Sequence, residues 1–178
     1  MFLSDNNPVI GDDFMSKKRA PFQVLILPYY VVDVMQGQIE YALFKRKDMD
    51  IWQGIAGGGE FGETPMETAK RETLEESGIF TTNQFTPLDS KATIPVEYVV
   101  GKFLWGNETY VIPEYCFGVE VRDKNITLSK EHTDFTWVCF EKAIELLEWD
   151  SNKNALWELN KRLLRQRSKH SSEPLEVV

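Results

Sequence analysis

Cysteine is scarce in this sequence, with only Cys116 and Cys139 among 178 residues. A disulfide framework is therefore not expected, and both thiols have apolar, strand-like neighbours that predict buried, unpaired side chains. An apolar core must stabilise the fold, and a content of 42% hydrophobic residues is enough for one good-sized core. We expect one domain at 21–167, between an N-terminal arm at 1–20 and a mobile C-terminal tail at 168–178.

Long apolar runs and an excess of positive charge are also missing. No stretch has the roughly 18 uncharged apolar residues that span a bilayer, and the N-terminus lacks the continuous apolar segment of a secretory signal. The net charge of −8 and the pI near 4.9 disfavour non-specific binding to nucleic acid or anionic membranes, which needs a positive field. We therefore expect a cytoplasmic protein without a nucleic-acid or membrane partner. Small anionic substrates are compatible with this charge if a metal and local basic residues neutralise them.

The stretch in which residue types and spacings together specify a chemistry is GGGEFGETPMETAKRETLEESGI, at 57–79. Its three leading glycines predict a loop that lets a ligand approach the main chain closely. The start of a helix is predicted by an N-cap at Thr64, a first-turn proline at Pro65 and a capping-box carboxylate at Glu67. Gly78 is a typical C-terminal stop. We predict a helix over 65–77.

Three glutamates of that helix share one face. Glu72, Glu75 and Glu76 stand at i, i+3 and i+4, which places their carboxylates within roughly 5–6 Å of each other. Such a cluster of like charges is stable near neutral pH when a cation lies among them, and oxygen ligands suit hard Mg²⁺, with Mn²⁺ as an alternative. Arg71 could orient Glu75, and Glu63 could hold Arg71 in place. A solvated acidic helix face is the alternative that spacing alone leaves open.

The whole stretch resembles the Nudix box, G-x5-E-x7-R-E-U-x-E-E-x-G-U, in which U is an aliphatic residue. The charged and glycine positions of the box are all matched, by Gly57, Glu63, Arg71, Glu72, Glu75, Glu76 and Gly78. The departure is Thr73 at the first aliphatic position, where the side chain would turn toward the sheet. The resemblance implies hydrolysis of a nucleoside diphosphate linked to another moiety. It also implies a mixed β-sheet between helices, an α/β/α sandwich.

Hydrophobic patterns elsewhere predict the strands and helices of such a fold. We expect strands at 22–32, 39–45, 91–100, 102–104, 114–121 and 135–138, and helices at 140–148 and 152–165. Gly37 should turn the chain between the first two strands, and Pro28 suggests a bulge or an edge. Glu97, Glu108 and Glu114 have no distinguishing pattern, so we expect them to face solvent.

Basic residues precede the glycines, at the end of the second predicted strand. Arg46 is a candidate phosphate contact because a guanidinium can donate two parallel hydrogen bonds. Lys45 is a weaker candidate since side chains alternate between the faces of a strand, and an ordinary solvated turn is the alternative for both. Gly57 and Gly58 would let the substrate approach the backbone. Trp52 is either a core residue or a wall on which a base stacks.

Within the Nudix family, further segments resemble the bacterial dihydroneopterin triphosphate pyrophosphatases, whose relatives were often labelled dATP pyrophosphohydrolases. These segments are a strand ending in Lys-Arg-Lys before WQGIAGGGEFGE, and the distal EHTDFTW and EWDSNKNAL. The resemblance implies that Glu131 serves the metal site and that the turn containing Asn152 belongs to the substrate pocket. A surface loop is the alternative for Glu131, and a helix cap is the alternative for Asn152.

The groups present predict a mechanism. Divalent ions on the box glutamates, with a backbone carbonyl from Ala56 or Gly57, would neutralise a polyphosphate and lower the pKa of the attacking water. Glu72 and Glu131 are the candidates for general base. If the subfamily resemblance holds, the substrate is dihydroneopterin triphosphate, on the route to folate, or a dNTP, and the products are a monophosphate and pyrophosphate.

Other functions are compatible with the same box. Other Nudix substrates include a dinucleoside polyphosphate, a nucleotide sugar or an oxidised dNTP. A nucleotide-sensing module without catalysis is disfavoured by the intact carboxylates, and RNA decapping is disfavoured by the acidic charge. The residue types do not indicate the number of metal ions, and no local signature separates a monomer from a homodimer.

Overall fold

The computed structural model describes residues 19–33, 36–80, 82, 84–100 and 103–170, in which strands and helices alternate. The strands are β1 (Arg19–Asp33), β2 (Gln38–Arg46), β3 (Trp52–Gln53), β4 (Ile55–Glu60), β5 (Phe85–Pro95), β6 (Val111–Glu120) and β7 (His132–Val138). The helices are α1 (Pro65–Ser77), α2 (Val96–Val100), α3 (Phe140–Leu146) and α4 (Asp150–His170). Among these residues, no helix combines the length and the apolar character that crossing a membrane requires. The predicted arm and tail lie outside the described residues, except where β1 starts at Arg19 and α4 ends at His170.

The strands form a mixed sheet arranged around β1. The spatial order is β3-β2-β1-β6-β5, while β4 also pairs with β1 and β7 also pairs with β2. β1 and β6 run parallel, from Gln23 opposite Glu114 to Tyr29 opposite Glu120, and the other pairs are antiparallel. The prediction of a bulge or edge at Pro28 is wrong because β1 is an interior strand. Pro28 instead lies between the last pair that β1 makes with β4 and the first that it makes with β2.

Helices cover both faces of the sheet because β1 buries both of its sets of side chains. Leu25 and Leu27 pack with α3 and α4 in one core cluster, which includes Leu156. Val24 and Ile26 belong to a second cluster on the opposite face, which includes Ala69 of α1. A strand buried on both faces needs apolar residues at successive positions, which explains the continuous apolar run of β1. The predicted α/β/α sandwich is confirmed.

The predicted bounds of the box helix, α1, are confirmed by its caps. Thr64 Oγ1 accepts from the Glu67 N–H at 3.3 Å, and the Glu67 carboxylate accepts from the Thr64 N–H at 2.8 Å. Gly78 ends the helix in the left-handed conformation, at φ 70°, and donates its N–H to the Leu74 carbonyl at 3.0 Å. Thr73 faces the sheet, as expected, and its buried hydroxyl donates to the Ala69 carbonyl at 2.6 Å.

Several local predictions are wrong. The strand predicted at 91–100 stops at Pro95, which has no N–H to extend a ladder, and α2 follows. Of the strand predicted at 102–104, the two residues that the structure describes are not in a strand. Cys116 is buried, as expected, and burial raises the pKa of its thiol to about 12. Cys139 is exposed instead, because it occupies the N-cap position of α3 at the surface.

The N-cap of α1 gives a test of this local structure. We expect Thr64→Ala to lower the free energy of unfolding by about 1 kcal/mol, because the first turn loses the side-chain acceptor of the Glu67 N–H. Thr64→Ser keeps the hydroxyl and is the matched control. Urea unfolding followed by circular dichroism measures both, and equal stability of the alanine and serine variants would contradict the capping assignment.

Candidate active site

The box carboxylates share one side of α1 but differ in burial. Glu76 is 5% exposed, the Glu72 side chain is 12% exposed, and the Glu75 side chain is 58% exposed. The helix meets β4, whose glycines pair with β1 and therefore form a strand, where we had predicted a loop. The side chains explain the glycines: a Cβ on Gly57 would lie 2.0 Å from the Glu72 carboxyl carbon. Glycine therefore lets the carboxylate lie directly against the backbone of β4.

Arg71 connects the carboxylates to β4. Its guanidinium donates to both oxygens of Glu63, at 2.8 and 2.9 Å, and to the Gly58 carbonyl at 3.0 Å. It also donates to Glu72 at 2.8 Å and to Glu75 at 3.1 Å. These are the contacts expected if Arg71 orients Glu75 and Glu63 holds Arg71 in place. Hydrogen bonds from Arg71 hold the pKa of Glu63 far below its usual range, at about 2.

Glu76 is a buried carboxyl with an unused oxygen. Its Oε2 has no hydrogen-bond partner, and His132 Nε2 lies 3.6 Å from it. Burial, followed by repulsion from Glu72 and Glu131, raises the pKa of Glu76 to about 9. Burial also lowers the pKa of His132, which favours the neutral imidazole. A cation among these groups would stabilise the ionised form of Glu76 and lower its pKa.

The donor set fits a hard divalent ion. It consists of oxygens, and one of them is buried without a partner. In the part of the chain that the structure describes, no three acidic, histidine or cysteine side chains already stand at ligand spacing. One nitrogen of Arg71 donates to both Glu72 and Glu75.

These groups lie in a cavity of about 770 Å³, within the usual range for small-molecule sites. Of the predicted site residues, those that line it are Arg46, Ala56, Gly57, Gly58, Glu72, Glu76, Glu131 and Asn152. A larger cleft, of about 970 Å³, lies beyond the C-terminal end of α1 and contains none of the box carboxylates. We therefore place the site in the smaller cavity.

Six predicted residues do not line this cavity: Lys45, Trp52, Glu63, Arg71, Glu75 and Gly78. Lys45 forms an ion pair with Asp50 at 2.7 Å, and Glu75 lies on the outer side of the helix. Trp52 packs against the core cluster of α3 and α4, which agrees with the core alternative. Arg46 does line the cavity, and its guanidinium donates to Asp48 at 2.8 and 2.6 Å.

Asn152 reaches the cavity from inside a helix. The prediction of a cap is wrong because α4 begins at Asp150, and the first turn starts from the Trp149 carbonyl, which accepts from the Lys153 N–H. The Asn152 side chain is buried and accepts from the Gly54 N–H at 3.0 Å. This bond ties α4 to the segment that leads into β4.

Sequence reasoning missed residues that the fold brings into the cavity. Arg19, which we had placed in the N-terminal arm, lies against Gly58 and has a buried Nε without a partner. The apolar run of β1 begins after Arg19, so no pattern marked it. Glu114 was expected at the surface but is 2% exposed. The sequence pattern does indicate that Glu114 is buried, because Ile112 and Cys116 lie two residues before and after it, on the inward face of β6.

Comparison with known families agrees with this geometry. A sequence model of the NUDIX domain matches residues 29–159, which contain the box and every cavity residue except Arg19 and Gln23. The chain belongs to the Nudix family. The box resemblance and the fold thus agree on the same family.

Individual Nudix proteins resemble the chain over most of its length. A dihydroneopterin triphosphate diphosphatase of Haemophilus influenzae is 32% identical over 116 residues, which are 64% of this chain and 73% of that protein. An asymmetrical bis(5'-nucleosyl)-tetraphosphatase of Rattus norvegicus is 28% identical over 141 residues, 79% of this chain and 91% of that protein. A Listeria monocytogenes protein, crystallised as a candidate Nudix hydrolase, superposes with a TM-score of 0.74 at 43% identity, over 83% of this chain and 97% of that one. The chain is a Nudix hydrolase acting on phosphoanhydride bonds, and such hydrolases generally use divalent metal ions.

The ion pair of Glu63 and Arg71 predicts a pH-dependent stability. The pKa of Glu63 is about 2 in the folded protein, below the ordinary glutamate pKa of 4.5, so its charge stabilises the fold above pH 4.5. This contribution is lost as the pH falls toward 2. We expect Glu63→Gln to lower the free energy of unfolding at pH 7 by about 1–3 kcal/mol.

Urea unfolding at pH 7 and at pH 3 checks this expectation. The difference between wild type and Glu63→Gln should be smaller at pH 3. Glu108→Gln, which removes the same charge from an exposed turn, is the control. A difference that stays constant with pH would contradict the assigned ion pair.

Proposed function

We propose that this Nudix hydrolase cleaves a nucleoside-triphosphate-like substrate, dihydroneopterin triphosphate or a dNTP, into a monophosphate and pyrophosphate, with Mg²⁺ as its cofactor and Mn²⁺ as a substitute. The observation that carries the proposal is the buried, unpartnered oxygen of Glu76, beside Glu72 and Glu131 in a cavity of about 770 Å³. The Haemophilus influenzae relative supports the choice of substrate. The substrate is a small molecule, and the net charge of −8 disfavours a nucleic acid.

Five groups would hold the metal. They are the carboxylates of Glu72, Glu75, Glu76 and Glu131 and the carbonyl of Ala56. When bound, a divalent ion neutralises phosphate oxygens and lowers the pKa of a water molecule. The carboxylates differ in burial, so Glu76, the buried one, would be the most strongly desolvated ligand of the metal.

Two arginines would bind the triphosphate. Arg19 and Arg46 both line the cavity, and both interact electrostatically with Glu131. Arg19 has a buried nitrogen without a partner, which a phosphate oxygen would satisfy. The Gly58 backbone lies beside Arg19 and permits close approach of the substrate. These groups would fix the chain of phosphates relative to the carboxylates.

A carboxylate would take the proton from the attacking water. Glu72 is half-buried against Gly57 and is oriented by Arg71. Glu131 lies on the exposed segment before β7 and contributes its charge to the same cluster. Both positions border the cavity, so both are candidates for general base. The residue that is not the base would act as a metal ligand or as a positioning group.

The proposal is tested by measuring pyrophosphate and phosphate release with Mg²⁺. The substrates are dihydroneopterin triphosphate, the dNTPs, an oxidised dNTP, ADP-ribose and diadenosine polyphosphates. Pyrophosphate release should be fastest from the pterin or a dNTP. Faster cleavage of a dinucleoside polyphosphate would contradict this choice of substrate and favour the substrate class of the Rattus norvegicus relative.

Glu76→Gln should reduce kcat/KM by about 10²–10³-fold, as expected for loss of one preorganised electrostatic group. Its stability at pH 7 should be unchanged or higher, because the substitution removes the cost of a buried carboxyl whose Oε2 has no partner. Glu108→Gln, which makes the same substitution in an exposed turn, is the control. Full activity of Glu76→Gln would overturn the metal assignment.

Glu72→Gln and Glu131→Gln separate the roles of the two candidate bases. The variant without the base should lose about 10²–10⁴-fold in kcat, and saturating Mg²⁺ should not restore it. The variant without only a ligand should need more Mg²⁺ for half-maximal activity. Activity titrated with Mg²⁺ distinguishes them, and wild-type kcat in both variants would remove both residues from the mechanism.

A further inference from the structure

A second buried carboxyl lines the cavity, on a different strand from the metal site. Glu114 belongs to β6, is 2% exposed, and borders the cavity that contains Glu72 and Glu76. Its Oε1 has no hydrogen-bond partner. A buried polar atom without a partner costs free energy, and nothing in the phosphate chemistry uses this one.

The strand register places Glu114 at a distance that suits a nucleoside triphosphate. Gln23 of β1 is opposite Gly58 of β4 on one side and opposite Glu114 on the other. The backbone of Glu114 is therefore two strand spacings, about 10 Å, from the glycine at the proposed phosphate site. This separation is comparable to that between the phosphates and the base of a bound nucleotide, so Glu114 lies at the base end of the cavity.

The neighbours of Glu114 leave it as a hydrogen-bond acceptor. Gln23 Nε2 donates to its Oε2 at 3.2 Å, and the Ser151 hydroxyl is a second hydrogen-bond partner. Asn152 donates to Ser151 Oγ at 3.4 Å and thereby helps to hold that hydroxyl. Each carboxylate oxygen has two lone pairs, so both oxygens can still accept from a ligand. A structural role explains the contact of Oε2 with Gln23 but leaves Oε1 without a partner.

Aromatic side chains border the same cavity. Tyr98 and Trp149 are large, exposed to 74% and 43%, and both line it. Exposed aromatic faces next to a buried acceptor are the combination by which proteins bind a heterocyclic base, by stacking on its face and hydrogen bonding to its edge. The cavity thus has a base-binding end that is distinct from its metal-binding end.

We propose that Glu114 is a specificity-determining residue that accepts hydrogen bonds from a ring N–H and the adjacent exocyclic amino group of the substrate base. Two donors side by side are the 2-amino-4-oxopyrimidine edge, which guanine and pterins share, and a carboxylate can bind them with two parallel bonds. Adenine presents one donor and one acceptor on the corresponding edge, so its acceptor would face a carboxylate oxygen. This inference rests on the proposed function, because it assigns the base end of the same site.

Paired substrates that differ in the amino group test the proposal. dITP lacks the 2-amino group of dGTP, and we expect wild type to have a kcat/KM for dGTP about 10–100-fold above that for dITP, as for a hydrogen bond to a charged group. Glu114→Gln replaces an acceptor by a donor and should lower this ratio about tenfold or more. Glu120→Gln, an exposed position on the same strand, is the matched control and should keep the ratio. Glu114→Asp, which keeps the charge but withdraws it by one methylene, should also lower the ratio and serves if the glutamine variant does not fold.

Equilibrium binding separates this inference from the proposed function. Calorimetric titration with dGMP and dIMP needs no turnover, and wild type should bind dGMP more tightly while Glu114→Gln binds both alike. If the Glu114 variants keep the wild-type preference for dGTP over dITP in hydrolysis and for dGMP over dIMP in binding, the inference is overturned and the proposed function stays intact. Glu114-dependent preference for dGMP, without hydrolysis of any triphosphate, would support the inference and overturn the proposed function.

Discussion

The arrangement of the site depends on the ion pair between Arg71 and Glu63. Glu63 accepts from both sides of the junction between β4 and α1, through the Glu60 N–H at 2.8 Å and the Thr68 hydroxyl at 2.7 Å. Arg71 adds a bond to the Gly58 carbonyl, so one guanidinium fixes the helix against the strand. The remaining donors of Arg71 then set the positions of the box carboxylates. A bidentate pair gives both attraction and fixed geometry, which a single lysine could not supply.

This constraint lets the fold keep a carboxyl where it is unfavourable. Glu76 is buried next to Glu72 and Glu131, and burial together with repulsion from them raises its pKa to about 9. A divalent ion would supply positive charge among these carboxylates, and relief of their repulsion would contribute to the free energy of ion binding. The same reasoning applies to Arg19, whose buried nitrogen lacks a partner until an anion arrives. Stability and function are therefore opposed at these positions, as is common where charges are preorganised for a ligand.

The interior strand β1 joins the two ends of the cavity. On one side it pairs with β4, which carries the glycines of the phosphate end, and on the other it pairs with β6, which carries Glu114. Gln23 is a partner of both strands and also donates to Glu114. Helix α4 closes the base end, where Asn152 binds the Gly54 N–H and supports Ser151. The sheet spacing thus sets the distance between the two ends, and the side chains of α1 and α4 determine the chemistry of each.

The sequence by itself determined the local elements with strong short-range signals. The bounds of α1 followed from a capping box and a C-terminal glycine, and the contact between Glu63 and Arg71 followed from their spacing in the box. The sandwich followed from the family resemblance, with which the strand and helix patterns agree. Tertiary structure decided what depends on distant segments: that the glycines of β4 pair with β1, that Asn152 lies inside α4, and that Arg19 and Glu114 border the cavity. A capping or helix-face pattern is complete within about two turns, because its partners are three or four residues apart. The walls of the cavity come from residues nearly a hundred positions apart, such as Gln23 and Glu114, and only the pairing of β1 with β6 brings them together.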